Sequence, residues 1–150
     1  YVFHRAKDLN ISSFYVTYYR RDRSEAEVEI NDILKNNSVD LVILAGYMRL
    51  FSKEFTDKWN KKILNIHPAL LPKHPGANGI DDSFNSGDKE LGVTVHYVDH
   101  GMDTGPVIYQ ESFTKDKDDT LHSVEKKIHS IEHRIYPKVI IKKLNNLGNI

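Results

Sequence analysis

Two polar side chains stand two residues apart in ILNIHPALLPKHPG, the stretch that runs from Ile63 to Gly76. Its first half alternates as a strand does, so Ile63, Asn65 and His67 share one face while Leu64 and Ile66 share the other. Pro68 ends the strand, because a residue ahead of proline is held extended and proline supplies no ladder donor. Asn65 and His67 therefore project side by side from the carboxyl end of a mostly apolar strand. In an open α/β sheet, ligands bind at that edge. An amide N–H and a ring N–H aimed at one point suit a developing oxyanion. Taken alone, each residue has a plainer use: Asn65 in a bulge or turn, His67 as a satisfied strand-end ring.

The elements that must carry this pair follow from the rest of the chain. Val2, Ala6 and Leu9 have helical spacing that ends near Asn10. Ser12 to Tyr19, aromatic and β-branched, reads as a strand, followed by a basic loop with Arg20, Arg21 and Arg23. Ser24, with Glu27 three residues on, predicts a capped helix to about Asn36 with Ala26, Ile30, Ile33 and Leu34 inward. Asp40 to Ala45 is a continuous apolar run, as in a parallel strand buried on both faces. Ser52 caps a short helix to Trp59, and a second short helix from Asn78 to Ser86 closes at Gly87. Gly92–Val98 and Pro106–Phe113 alternate as strands, joined by DHGMDTG, a turn rich in glycine and aspartate. Asp118 to Leu144 predicts a long helix with Leu121, Val124, Ile128, Ile131 and Ile135 on one face. Pro137 should kink or interrupt it, and the tail NNLGNI should fray. The order implies an α/β fold: a mostly parallel sheet with an antiparallel edge and flanking helices.

Composition narrows the function classes. The 150 residues carry 21 Lys+Arg against 21 Asp+Glu, so no net field draws nucleic acid or an anionic membrane, and any anion site is local. The basic residues form no aromatic-interleaved stripe. Cysteine is absent, which removes disulfides and thiolate metal sites and fits a reducing, cytoplasmic compartment. No apolar run approaches the ~18–20 residues of a membrane span. No His/Asp spacing marks a metal site.

LAGYMRLFS, LNIHPALLPKHPG and GVTVHYVDHGMDTGPVIYQ, in that order, resemble the folate-dependent formyltransferases, and within them the enzymes that formylate glycinamide ribonucleotide in de novo purine synthesis. Proline directly after His67, the VHYV strand and the later IYP favour that branch over methionyl-tRNA formyltransferase and formyltetrahydrofolate hydrolase. The resemblance runs from about Arg23 to Pro137 and implies a Rossmann-like formyltransferase fold. It implies Asn65, His67 and Asp103 as the catalytic residues, although Asp103 also suits a residue that shapes its turn with Gly101 and Gly105. It assigns Arg23, Met48, Arg49, Leu50, Phe51 and Asn65 to 10-formyltetrahydrofolate and Glu132 to the ribonucleotide. No metal is implied. His96 is read as structural, and His74 and His100 carry no argument of their own. The expected partners are the two small-molecule substrates, with a homodimer as an option and neither nucleic acid nor membrane. A hydrolase, with water replacing the amine, and a non-catalytic folate-binding relative are the alternatives.

The chain also departs from that family. It opens at Tyr1 inside what would be the family's second helix, so the first strands and the glycine- and serine-containing phosphate loop are not in this sequence. The expectation is a partial single formyltransferase domain over 1–150, poorly soluble or inactive by itself. Asn78 stands where several relatives carry histidine.

Overall fold

The computed structural model describes residues 2–147. The chain divides into two compact units, Tyr1–Val39 and Asp40–Ile150.

The amino-terminal unit contains α1 (Val2–Asp8) and α2 (Arg23–Asn36). Asn10 at φ 58° ends α1 close to the expected boundary. The expected strand from Ser12 to Tyr19 is not formed. Its residues have no ladder partner among those described, and β propensity without a paired neighbour does not make a strand. The start of α2 is also corrected. Asp22, not Ser24, caps it, and the Glu25 carboxylate accepts the Asp22 N–H at 3.3 Å. Asp22 and Glu25 have the same three-residue spacing as Ser24 and Glu27, and a cap reads by spacing alone in either register. Ala26 is buried, while Ile30, Ile33 and Leu34 are half-buried.

The second unit is built on a mixed sheet of order β1-β2-β3-β4. Its strands are β1 (Val42–Ile43), β2 (Ile63–His67), β3 (Glu90–Tyr97) and β4 (Val107–Thr114). β1 and β2 run parallel; β2–β3 and β3–β4 are antiparallel. The apolar run 40–45 thus yields a short strand, half-buried rather than buried on both faces. Between the strands lie α3 (Lys53–Lys58), which Ser52 caps by accepting the Phe55 N–H at 3.1 Å, and α4 (Gly79–Asn85). No helix among the described residues is long and apolar enough to cross a membrane.

α5 (Leu121–Leu147) covers one face of this sheet. Leu64, Leu91, Val93 and Val95 from the strands meet Val124, Ile128, Ile131, Ile135, Tyr136 and Val139 from the helix. The helix begins at Leu121, three residues later than expected. Thr120 Oγ1 accepts the Ser123 N–H at 3.2 Å and Ser123 Oγ accepts the Thr120 N–H at 3.0 Å, a reciprocal cap that fixes the start. Pro137 does not interrupt it. Proline removes one ladder bond, but Ile135, Tyr136 and Val139 on both sides of it are buried in the core. Asn145 to Leu147 remain helical rather than frayed, and the rest of that tail lies outside the described residues.

The Tyr136 hydroxyl lies 2.9 Å from both the Leu44 and Leu64 carbonyl oxygens, so α5 is tied to the ends of β1 and β2. Burial pushes its phenol well above the ordinary value. Tyr136→Phe should therefore destabilise the protein by about 1–2 kcal/mol. Chemical denaturation would show the loss as a lower midpoint at unchanged slope, and an unmoved midpoint would mean that packing alone positions α5.

Candidate active site

β2 delivers Asn65 and His67 to one face, opposite the Leu64 side that packs on α5. The loop after His67 is fixed by Thr94 on β3. Its hydroxyl donates to the Ala69 carbonyl at 2.6 Å and accepts the Leu71 N–H at 3.0 Å. Gln110 on β4 donates to both Thr94 Oγ1 and the Leu71 carbonyl at 2.8 Å. This bracing brings the His74 carbonyl to within 2.7 Å of His67 Nε2. A carbonyl only accepts, so Nε2 carries a proton and donates.

Asp103 reaches the same place from the turn between β3 and β4. Asp99 shapes that turn by accepting the Gly101 N–H at 3.0 Å and the Thr104 hydroxyl at 2.7 Å. Gly105 passes so close to β3 that a Cβ there would fall 1.8 Å from the Tyr97 carbonyl oxygen. Asp103 itself takes a left-handed conformation, φ 55°, which aspartate tolerates better than most residues. One carboxylate oxygen accepts the Gly76 N–H at 2.8 Å and lies 3.4 Å from His67 Nδ1; the other lies 3.5 Å from His96 Nε2. The His96 ring, the Gly76 N–H and the charge available on His67 hold the Asp103 carboxyl below the ordinary carboxylate value, against the opposing effect of burial.

The three residues singled out from the sequence thus meet. A fourth, His96, joins them at the centre of the cluster. Its Nδ1 donates to the Tyr97 carbonyl at 2.8 Å, which leaves Nε2 facing the Asn65 amide nitrogen at 3.3 Å and Asp103 at 3.5 Å. A neutral ring accepts from Asn65; a protonated ring donates toward Asp103. From the sequence alone His96 is expected to be structural rather than catalytic. The signal lay in strand register: antiparallel pairing sets His96 directly opposite Asn65. A bulge between Val95 and His96 in the pairing with β4 lies beside it, a common device for aiming side chains next to a site.

These groups line a cavity of about 710 Å³ in the second unit. Met48, Arg49, Leu50 and Phe51 line it from the loop after β1, and Glu132 lines it from α5. Phe51 is buried and its ring stacks between Tyr47 and Phe55, at 4.5 and 4.4 Å between centroids. That stack fixes the loop and leaves Met48 and Leu50 exposed. Glu132 Oε2 accepts from His129 Nδ1 at 2.7 Å, one turn back on α5. Arg23 belongs to the amino-terminal unit, where its Nε lies 3.9 Å from Glu27 Oε1.

Chemically, this is a largely buried corner that presents the Asn65 amide, two imidazoles and one ionised carboxylate to an apolar-walled cavity. Such a set stabilises negative charge and moves protons.

Comparison with known proteins agrees with that chemistry. The formyl transferase family matches residues 1–140. The chain is 43% identical to phosphoribosylglycinamide formyltransferase of Bacillus subtilis, over 99% of this chain and 76% of that protein. It is 38% identical to the trifunctional purine biosynthetic protein adenosine-3 of Drosophila melanogaster, over 97% of this chain and 11% of that much longer protein. Among solved structures, phosphoribosylglycinamide formyltransferase from Bacillus halodurans superposes with a TM-score of 0.90 at 39% identity, covering 99% of this chain and 77% of that one. In sequence and in fold, this chain belongs to the formyl transferase family.

Proposed function

We propose that this chain transfers the formyl group of 10-formyltetrahydrofolate to the amine of glycinamide ribonucleotide, a step of de novo purine synthesis in the cytoplasm. The observation that carries the reading is the meeting of Asn65, His67 and Asp103 at one cavity. The names of the relatives supply the acceptor and the formyl group, and the family resemblance supplies the folate donor. Met48, Arg49, Leu50 and Phe51 form the wall assigned to the pterin. Arg23 and Asn65 are further folate contacts, and Glu132 is the contact to the ribonucleotide. The chemistry needs no metal, and residues 1–150 belong to a single formyltransferase domain, of which they are a part.

The neutral amine attacks the formyl carbon and gives a tetrahedral species with negative oxygen. Asn65 has a second amide N–H beyond the one near His96, and it donates to that oxygen. His67 contributes through Nδ1. Its Nε2 proton is already committed to the His74 carbonyl, and the 3.4 Å separation of Nδ1 from Asp103 exceeds the usual 2.7–3.2 Å bond range, so this nitrogen remains available. A ring protonated at both nitrogens is a charged donor, stronger than a neutral one. Asp103 stabilises that cation and accepts the proton lost by the attacking amine, directly or through water, on its way to the folate nitrogen.

Release of tetrahydrofolate should require glycinamide ribonucleotide; release without it would mean a hydrolase instead. Asn65→Ala should lower kcat by about 10²–10³, the equivalent of one oxyanion donor. His67→Ala and Asp103→Asn should likewise reduce turnover far more than they weaken folate binding. Near-parental kcat in all three would remove the assigned roles.

The Asp103 carboxyl also makes a pH signature. Its folded value lies below the unfolded one, so its stabilisation is complete above about pH 4 and lost as pH falls through the folded value. Asp103→Asn lacks this contribution at neutral pH. Unfolding free energy measured against pH should fall less steeply below about pH 4 in the variant than in the parent.

A further inference from the structure

Sulfur is confined to one place in this protein. The sequence has no cysteine and two methionines. Both methionines line the cavity of the candidate site, Met48 from the loop after β1 and Met102 from the turn that carries Asp103. Met48 is 80% exposed and Met102 53%, so a small oxidant reaches both thioethers, whereas Trp59 is buried. The Met102 sulfur also lies against Gly76: a Cβ on that glycine would stand 3.2 Å from it. Gly76 is the residue whose N–H fixes Asp103 at 2.8 Å. The thioether therefore sits in the seam between the loop that engages His67 and the turn that supplies the carboxylate.

We infer that Met48 and Met102 are an oxidation site through which peroxide closes this cavity to formyl transfer and a thiol-dependent reductase reopens it. The inference rests on the formyl-transfer reading above. In the forward step a sulfur lone pair attacks one peroxide oxygen, the O–O bond breaks, an S–O bond forms and water leaves. Sulfur is oxidised by two electrons and peroxide is reduced by two. In the reverse step two reductase thiols become a disulfide, and the sulfoxide oxygen departs as water. A sulfoxide is polar and chiral where the thioether was flexible and apolar. At Met102 the new oxygen adds a polar acceptor beside Gly76, the residue whose N–H Asp103 accepts. At Met48 it places a strong acceptor on an apolar wall.

The test is to expose the protein to hydrogen peroxide, quench with catalase, quantify sulfoxide at each methionine by peptide mass spectrometry, and measure turnover. Turnover should fall by at least about tenfold in step with sulfoxide formation. It should return after treatment with methionine sulfoxide reductases and a dithiol. The Met48→Leu/Met102→Leu double variant should resist the same exposure, measured against its own untreated activity. A smaller loss at full conversion, no recovery, or equal loss in the double variant would overturn the proposal. If the untreated protein transfers no formyl group, the functional reading fails separately. The switch is then judged on the Gly76 amide resonance, which must shift on Met102 oxidation; an unmoved resonance overturns it.

Discussion

The arrangement depends on one carboxylate fixed as an anion in a mostly buried corner. Asp103 is 3.4 Å from His67 and 3.5 Å from His96, and it accepts a backbone N–H from Gly76 at 2.8 Å. Burial alone would favour the neutral acid. The N–H and the two rings outweigh that and lower the pKa. In return, the anion gives both buried imidazoles a partner for positive charge. Without it, neither ring would face an anion across this corner.

The pleat divides labour between the two faces of the sheet. On β2 and β3, Leu64, Val93 and Val95 pack against α5, while Asn65, His67, Thr94 and His96 face the other way. A one-residue slip in register would exchange the two sets, placing polar rings in the core and aliphatic side chains in the cavity. Hydrophobic burial therefore fixes the geometry of the chemistry, since the register that buries Leu64 and Val95 is the one that sets His96 across from Asn65. Tyr136 extends this order to α5. Its hydroxyl reaches the Leu44 and Leu64 carbonyls, and Glu132, one turn earlier on the helix, lines the cavity.

Much of this was legible from local pattern. Alternation placed β2, β3 and β4, the 3.6-residue spacing of Val124, Ile128, Ile131 and Ile135 gave the buried face of α5, and Ser52 marked the start of α3. What local pattern missed depends on partners distant in sequence. Ser12–Tyr19 has strand-like side chains but no ladder among the described residues. Asp22 and Ser24 are both sound caps with an acidic residue three positions on, and spacing does not choose between them. His96 looked like a strand histidine until pairing set it opposite Asn65, and Pro137 looked like a break until the core on both sides of it was known. Asn65 and His67 were visible as a pair because strand geometry is local. Asp103 joined them only through family resemblance, because its approach depends on a turn and on a left-handed backbone that sequence spacing does not reveal.

The hydrogen bond from His67 Nε2 to the His74 carbonyl constrains the proposed chemistry more than the other contacts of Asn65, His67 and Asp103 do. A ring with both nitrogens free could rotate or exchange tautomers, and either would remove the donor from the reacting oxygen. With Nε2 committed at 2.7 Å, the ring plane is fixed and Nδ1 is turned toward Asp103. Gly76 then has two roles that require the same atom geometry. Its positive φ of 98° turns the chain after His74, and its N–H stabilises the Asp103 anion. The His67 ring and the Asp103 carboxylate are thereby both held by one short loop, Pro68 to Gly76, braced on β3 and β4 by Thr94 and Gln110. Side-chain hydrogen bonds tie the loop to the sheet beneath it, and a site braced on regular elements keeps its donors aimed before a substrate arrives.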